Sequence, residues 1–115
     1  MLVVLYPEMG ATLGECSLLC SYDVLFPRLS WKFFEAGIKQ DLPELFRIAK
    51  FFYDVGNALF AHCTRDMIDG SFDKTFVRLR NPQFSNRLLP PYQGLSEEEF
   101  SVCRQVFDER FGDVE

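Results

Sequence analysis

Between Asp41 and Gly70, apolar residues recur every three or four positions, which is the spacing of one face of a helix. Asp41 and Glu44 have the spacing of a capping box, and Gly56 follows the last apolar residue of the first run. Asn57 is a preferred capping residue at the start of a second run, which Gly70 closes. The pattern therefore predicts two consecutive helices that meet at Gly56 and form a central helical hairpin.

Helical spacing also marks the segments on both sides of this hairpin. A helix is predicted over residues 11–25, and a shorter one over residues 28–36 is predicted to end at Gly37. Ser96 opens the last predicted helix, residues 96–111, with a second capping box. Each of these segments has an apolar stripe, so each helix is expected to bury one face.

The stretch before the last helix is rich in residues that interrupt helices. Asp73 is predicted to open one or two helical turns, which Asn81 ends because the residue before a proline disfavours helical backbone. Residues 81–94 then contain three prolines and a glycine, and they predict an irregular connector anchored by apolar side chains. One short helical piece is expected within it, over residues 84–88.

Length and composition predict a folded protein. The chain has 115 residues, of which 48% are hydrophobic and thirteen are Phe, far from the composition of a disordered segment. No apolar run approaches the 18 residues of a membrane span, and residues 2–6 are too short and too poor in basic residues for a signal peptide. For residues 2–6 we favour a helix or an extended arm over a lone strand. The prediction is an all-α cytoplasmic protein, a single domain over residues 1–115, built as a compact bundle of five or six helices.

Charge is distributed unevenly along the chain, whose net charge is −5. Residues 97–115 hold seven acidic and two basic residues, whereas residues 74–96 hold four basic residues and no acidic one. Because an acidic protein is repelled by phosphate backbones, nucleic acid is not predicted as the main partner. The acidic candidates for partner binding are Glu97, Glu98, Glu99, Asp108 and Glu109. The basic candidates for anion binding are Lys74, Arg78, Arg80 and Arg87.

The cysteines and the single histidine are candidates for metal binding and for catalysis. Zinc would need Cys16, Cys20, Cys63 and His62 to converge, but adjacent residues on a helix point to different faces. A nucleophile could be Cys63 or Ser71 with His62 as base, yet no glycine-rich elbow accompanies them, and no phosphate-binding loop occurs elsewhere. We therefore predict free thiols, no metal, no cofactor and no enzymatic activity.

Aromatic residues make up 16% of the chain, more than the helical stripes take up. Trp31 and Tyr92 lie off those stripes and are predicted as anchors of a protein interface, since large aromatic side chains often carry binding energy. The alternative for each is ordinary core packing.

Three segments together resemble a known class of proteins. They are Tyr6-Pro7-Glu8-Met9, residues 25–37 (LFPRLSWKFFEAG) and residues 41–52 (DLPELFRIAKFF). Over residues 6–70 the chain resembles the small acidic all-helical bacterial immunity-type proteins of toxin systems. Their pattern is a proline-glutamate start, a helix that ends at a glycine, and a helix with paired phenylalanines. The resemblance implies a helical protein that neutralises a partner by binding it, and it assigns no functional residue.

The predicted function is an inhibitor or immunity-type protein that binds another protein, whose surface is basic, and covers its active site. Complementary charge suits that task because it accelerates capture of the partner. The acidic candidates, with Trp31 and Tyr92, are the predicted contact residues. The alternative is an adaptor that binds an anion or an acidic peptide through the four basic candidates. An inhibitor of a host protein, encoded by a phage or a virus, is equally compatible with the sequence.

Overall fold

The computed structural model describes residues 18–115, so the predictions for residues 2–6 and 11–17 lie outside the described residues. Residues 18–115 form four α-helices and one 3-10 turn and contain no strand. These elements are the 3-10 turn Ser21–Val24, α1 (Pro27–Lys39), α2 (Leu42–Phe60), α3 (Asp69–Arg80) and α4 (Glu97–Arg110). The all-α prediction is confirmed for this part of the chain, which has four helices where five or six were predicted. None of these helices is both long and apolar enough to cross a bilayer.

Within the described residues the chain divides after Asp54, inside α2, into two units that are each compact, residues 18–54 and 55–115. The prediction of one domain over residues 1–115 stays a prediction.

Aromatic rings form the core of the first unit. Phe52 is fully buried and stacks on Tyr22, with ring centroids 4.9 Å apart. It also meets Phe33 edge-on at 5.6 Å and lies 6.5 Å from Phe26. Such ring pairs contribute about 0.5–1.5 kcal/mol each beyond the burial of their surface. The helical prediction for residues 11–25 is wrong over residues 18–25, where the backbone forms the 3-10 turn that places Tyr22 in this core.

The predicted end of α1 is also wrong. The helix starts at Pro27, where proline costs no backbone hydrogen bond, and continues through Gly37 to Lys39. Gln40 ends it in the left-handed conformation with φ 56°, and its N–H donates to the carbonyl of Gly37. Asp41 N–H donates to the Ala36 carbonyl at 2.9 Å. The carbonyls left open at the helix end are therefore paired without a glycine in the left-handed position.

The central hairpin is absent. α2 runs through Gly56 and Asn57 to Phe60, and Gly70 lies in the first turn of α3 instead of ending a helix. The apolar stripe of α2 explains why the helix continues, because its members on both sides of Gly56 are fully buried. They are Leu45, Ile48, Phe52, Val55 and Leu59. Burying each of the last two side chains contributes about 1.5–3 kcal/mol, more than the roughly 1 kcal/mol that a glycine costs in a helix.

The predicted cap at the start of α2 is formed in part. Glu44 N–H donates to Asp41 Oδ1 at 3.2 Å, as a capping box requires. The Glu44 carboxylate instead accepts two hydrogen bonds of 2.6 Å from Arg47. One half of the box therefore starts the helix, while the other half is replaced by an ion pair on its surface.

α3 and α4 pack together in the second unit, residues 55–115. The capping box of α4 is confirmed: Glu99 N–H donates to Ser96 Oγ at 3.1 Å, and Ser96 N–H donates to Glu99 Oε2 at 2.8 Å. α3 begins at Asp69, four residues before the predicted start at Asp73. Alongside Val55 and Leu59 of α2, apolar side chains of α3, the connector, α4 and its C-terminal cap are buried here. They are Phe76, Leu79, Leu95, Phe100, Cys103, Phe107 and Phe111.

The irregular connector between α3 and α4 is confirmed, but the short helix predicted over residues 84–88 does not form. Side chains of α3 bind two main-chain carbonyls of the connector. Lys74 donates to the carbonyl of Arg87, and Ser71 Oγ donates to the carbonyl of Gln93 at 3.2 Å. The connector is thereby held against the N-terminal half of α3.

Candidate binding surfaces

Glu99, one of the acidic candidates, is bound within the second unit. Its carboxylate accepts hydrogen bonds from Arg65 at 2.8 and 3.2 Å and from the Ser96 main chain at 2.8 Å. These donors, the Arg65 guanidinium first, lower the pKa of Glu99 from 4.5 to about 2. Arg65 also donates to the Gly94 carbonyl at 2.6 Å. Glu99 thus links the start of α4 to the segment before α3.

This arrangement predicts how the protein responds to acid. Because the pKa of Glu99 is lower in the folded chain, its carboxylate stabilises the fold above pH 4.5, and this contribution is lost as the pH falls from about 4.5 to about 2. Glu99→Gln is therefore expected to reduce the slope of the free energy of unfolding against pH in that window. Urea denaturation at stepped pH measures the slope. Glu98→Gln is the matched control and should keep the wild-type slope, and an unchanged slope in Glu99→Gln would contradict the prediction.

Glu97 pairs with Arg78 through two hydrogen bonds, at 3.0 and 2.9 Å. This paired geometry is the strong form of a carboxylate–guanidinium contact, and it lowers the pKa of Glu97. The Arg78 guanidinium also lies 4.1 Å above the ring of Phe100, while its main-chain carbonyl accepts from Arg104 at 3.0 Å. Arg78 therefore joins α3 to α4, and most of its side chain is buried.

The other acidic candidates lie along α4. Asp108 forms an ion pair with Arg104 at 3.6 Å, and Glu109 accepts a hydrogen bond from Gln105 at 2.9 Å. Glu98 is exposed and makes neither an ion pair nor a side-chain hydrogen bond with the residues that the structure describes. The five acidic candidates share one helix, yet four of them already have partners in their own chain. Their contact with another protein stays a prediction.

The basic candidates do not form a single group of available cations. Lys74 donates to the Arg87 carbonyl, and the Arg80 guanidinium lies 5.2 Å from the centre of the Phe107 ring. Arg78 is occupied by Glu97. Within residues 18–115 the guanidinium of Arg87 forms no ion pair, so it is the cation of this set best placed to receive an anion.

Tyr92 lies in the connector with 54% of its surface exposed and lines a cleft of about 500 Å³ within the second unit. Asn86 lines the same cleft with only 6% of its surface exposed, and its amide nitrogen and oxygen have no hydrogen-bond partner among the described residues. Sequence reasoning missed Asn86, because an asparagine among prolines is typical of an exposed turn. No local signal indicates that its side chain is buried.

Trp31 is an exposed residue of α1, as an interface anchor requires. The indole is 62% exposed, and its N–H donates to Glu35 at 3.2 Å. Its ring centroid lies 5.4 Å from that of Phe34, and Ile38, 67% exposed, lies two turns further along the same face. We call Trp31, Phe34 and Ile38 the aromatic face of α1.

His62 and Cys63 are close together, in contrast to the sequence prediction. Cys63 Sγ lies 3.6 Å from His62 Nε2, because α2 ends at Phe60 and the two residues are not on a helix. His62 Nε2 also lies 2.9 Å from the Glu99 carbonyl; since a carbonyl can only accept, this nitrogen carries the proton. Burial raises the pKa of the Cys63 thiol. The pair therefore lacks the arrangement of a thiolate activated by a base.

Cys103 and Cys20 lie in similarly unreactive surroundings. Cys103 Sγ donates to the Leu59 carbonyl at 3.0 Å, and burial raises the pKa of its thiol to about 12. Cys20 Sγ lies 3.8 Å from Ser30 Oγ, and burial raises its pKa as well. Among residues 18–115 no three His, Cys, Asp or Glu residues form a group that could hold a metal ion, and Cys16 lies outside the described residues.

Comparison with known proteins finds no matching family model, no matching curated protein and no matching solved structure. The fold itself assigns residues 18–115 to the all-α class. The resemblance of residues 6–70 to immunity-type proteins stays a prediction.

Proposed function

We propose that the protein acts by binding another protein, and that the aromatic face of α1 is its contact surface. The observation that carries this proposal is the exposure of Trp31 and Ile38 on one side of a short helix. Tryptophan is enriched among the residues that dominate binding energy in protein interfaces. Neighbouring exposed apolar side chains with a polar surround are typical of such interfaces.

The charges around this face support a partner that is recognised mainly by apolar contact. Described residues 18–54 contain five acidic and five basic residues, so their charges cancel. Some are paired along their own helices, such as Glu35 with Lys39 at 3.9 Å and Lys50 with Asp54 at 2.6 Å. A balanced polar rim excludes water around a central anchor without selecting a strongly charged partner. The partner in this proposal is a protein with an apolar pocket that accepts an indole.

We propose further that the protein inhibits the partner that it binds. The resemblance of residues 6–70 to immunity-type proteins supports this form, in which the partner is a toxin encoded beside this gene. The acidic α4 then supplies attraction at long range, because exposed carboxylates contribute to the field of the protein even when they are paired. An inhibitor of a host protein, carried by a phage or a virus, differs in the source of the partner and not in the surface that binds it.

The partner is identified by site-specific photocrosslinking. A photoreactive amino acid at position 31 is expected to capture one protein in cells, whereas the same group at position 73, exposed in the second unit, is expected not to. The product of the adjacent gene is the first protein to test in purified form. Capture of a second copy of this chain at position 31 would replace the proposal with self-association.

Affinity for the purified partner then tests the surface itself. Trp31→Ala is expected to weaken binding by about tenfold, because truncating a central aromatic anchor costs more than 1 kcal/mol. Lys39→Ala is the control and should change affinity by less than about twofold. Isothermal titration calorimetry measures both, and thermal unfolding should be nearly the same for the two variants. Equal affinities for Trp31→Ala and the wild type would reject this contact surface.

The salt dependence of the binding rates shows whether the aromatic face of α1 or α4 forms the contact with the partner. If the apolar face dominates, the dissociation rate changes little between low and high salt, while the association rate falls because opposite charges are screened. Neutralising Glu98 together with Asp108 and Glu109 should then slow association and leave dissociation unchanged. Faster dissociation in that triple variant would show that α4 forms the contact itself.

A further inference from the structure

The cleft at the connector contains a buried polar side chain that the fold leaves unpaired. Asn86 is more than nine-tenths buried, yet neither its amide oxygen nor its amide nitrogen has a partner among the described residues. Most buried polar side-chain atoms in proteins are hydrogen-bonded, and a buried group without a partner lowers stability. The Nε atom of Arg78, another residue of the cleft wall, is also buried and unpaired. Asn86 therefore holds unpaired donors and an acceptor next to the cleft, where a ligand that reaches them would complete them.

The wall that holds Asn86 is built by specific contacts. The main chain at Gly94 lies directly against the Asn86 carbonyl, so closely that a Cβ at position 94 would overlap it. Arg65 and Ser71 bind the main chain of the same wall at Gly94 and Gln93. Arg65 and Ser71 therefore hold the segment that packs against the Asn86 main chain.

The side-chain amide of Asn86 limits which chemical groups a ligand can present to it. Asn86 offers one acceptor oxygen and two donor hydrogens, so a group that carries both a donor and an acceptor satisfies it best. A main-chain peptide group has that pair. A fully ionised inorganic anion such as sulfate carries only acceptors and would leave the Asn86 oxygen unpaired. Because both Asn86 atoms are closed off from solvent, the ligand meets them after a rotation of this side chain toward the cleft.

The charges that line the cleft limit the possible ligands further. Its charged lining residues are Arg78, Arg87 and Glu97. Arg78 and Glu97 neutralise each other, so the guanidinium of Arg87 leaves a net charge of one positive unit. One positive charge suits a carboxylate better than a phosphate group, which carries about −1.5 to −2 at pH 7. Tyr92 and Phe84, both partly exposed, add aromatic surface for the apolar parts of a ligand.

We propose that this cleft binds an extended peptide segment that carries a carboxylate: Asn86 pairs with a main-chain amide of the peptide and Arg87 with its carboxylate. The site lies in the second unit and does not depend on the proposed role of the aromatic face. The carboxylate comes either from an acidic side chain or from a free C-terminus. Two blocked amino acids distinguish these sources, because each carries one carboxylate.

The probes are N-acetyl-aspartate amide, which has a side-chain carboxylate, and N-acetylglycine, which has a terminal one. Titration of the isotope-labelled full chain, followed by NMR, is expected to give saturable shifts of the amide signals of residues 84–95. The probe that binds with the higher affinity identifies the source of the carboxylate. N-acetyl-asparagine amide lacks the charge and should bind about fivefold more weakly than the aspartate probe. Saturable binding by AMP with none by the two carboxylate probes would overturn the proposal in favour of a nucleotide.

Variants test the two residues separately. Arg87→Gln is expected to weaken binding of the better probe by about fivefold, and Arg28→Gln, exposed in the first unit, should have no effect. Asn86→Leu is expected to weaken binding by about tenfold, because two hydrogen bonds to the ligand are lost.

The melting temperature distinguishes a binding residue from a structural one. Asn86→Leu should raise it, since an unpaired buried amide is replaced by an apolar side chain of similar size. Shifts that survive both substitutions, or no saturable shift at tens of millimolar probe, would overturn the proposal. If Asn86→Leu does not fold, the outcome with Arg87→Gln decides, because that side chain lies in the open part of the wall.

Discussion

Phe52→Ala is expected to lower the free energy of unfolding by about 3–5 kcal/mol, the usual loss when a fully buried phenylalanine becomes alanine. The side chain has no exposed surface and contacts rings from three directions: Tyr22 stacks on it, Phe33 meets it edge-on, and Phe26 lies beyond. Truncation would remove these ring contacts at once, together with the ring pair that Phe52 forms with Phe51 at 6.0 Å. The surrounding helices cannot fully close the cavity, because Phe33 and Phe26 are themselves held at full burial.

Urea denaturation followed by circular dichroism measures this loss. Phe46→Ala is the matched control, because it makes the same substitution in the same helix at a side chain that is 53% exposed. Its cost should stay within about 1 kcal/mol. Similar losses for the two variants would mean that the aromatic cluster around Phe52 is not the main core of the first unit.

Gly94→Ala is expected to destabilise the protein by about 2–3 kcal/mol, as an overpacked site does. A methyl group at this position would overlap the main-chain carbonyl of Asn86, and a backbone group cannot rotate away as the end of a side chain can. The connector would have to move, which would also strain the hydrogen bond from Arg65 to the Gly94 carbonyl. The substitution should therefore weaken binding of the carboxylate probes in the cleft together with stability.

Gly70→Ala gives the opposite expectation and serves as the control. A Cβ there would meet only Leu88 Cδ2 at 3.8 Å, an ordinary contact. Because Gly70 lies in the first turn of α3, alanine should leave stability unchanged or raise it by about 0.5–1 kcal/mol. Urea denaturation of the two variants measures both effects. Equal and small changes would show that the connector adjusts at position 94 without cost.

The features that were predicted correctly depend on residues that are close together in the sequence. The capping box at Ser96 and Glu99 joins residues three positions apart, so the start of α4 could be inferred without knowledge of the rest of the fold. The connector over residues 81–94 was correct for a similar reason, since each proline restricts its own backbone and that of its neighbour.

The helix boundaries that were predicted wrongly involve burial that local patterns do not report. Gly37 and Gly56 read as helix ends, yet both lie inside helices. At Gly56 the burial of Val55 and Leu59 outweighs the local cost of a glycine. The same competition removed the predicted hairpin, because the helix that should have started at Asn57 continues the one before it.

The candidate site shows the same division between local and distant interactions. The sequence by itself determined that Trp31 lies off the apolar stripe of its helix and that acidic residues gather at the start of α4, because both are properties of residues within a few turns. Tertiary structure alone decided that Glu97 meets Arg78, 19 residues away, and that Glu99 meets Arg65, 34 residues away. It also decided that Asn86 is buried without a partner. The energy of these contacts depends on distances between elements, and a linear pattern of residue types does not carry those distances.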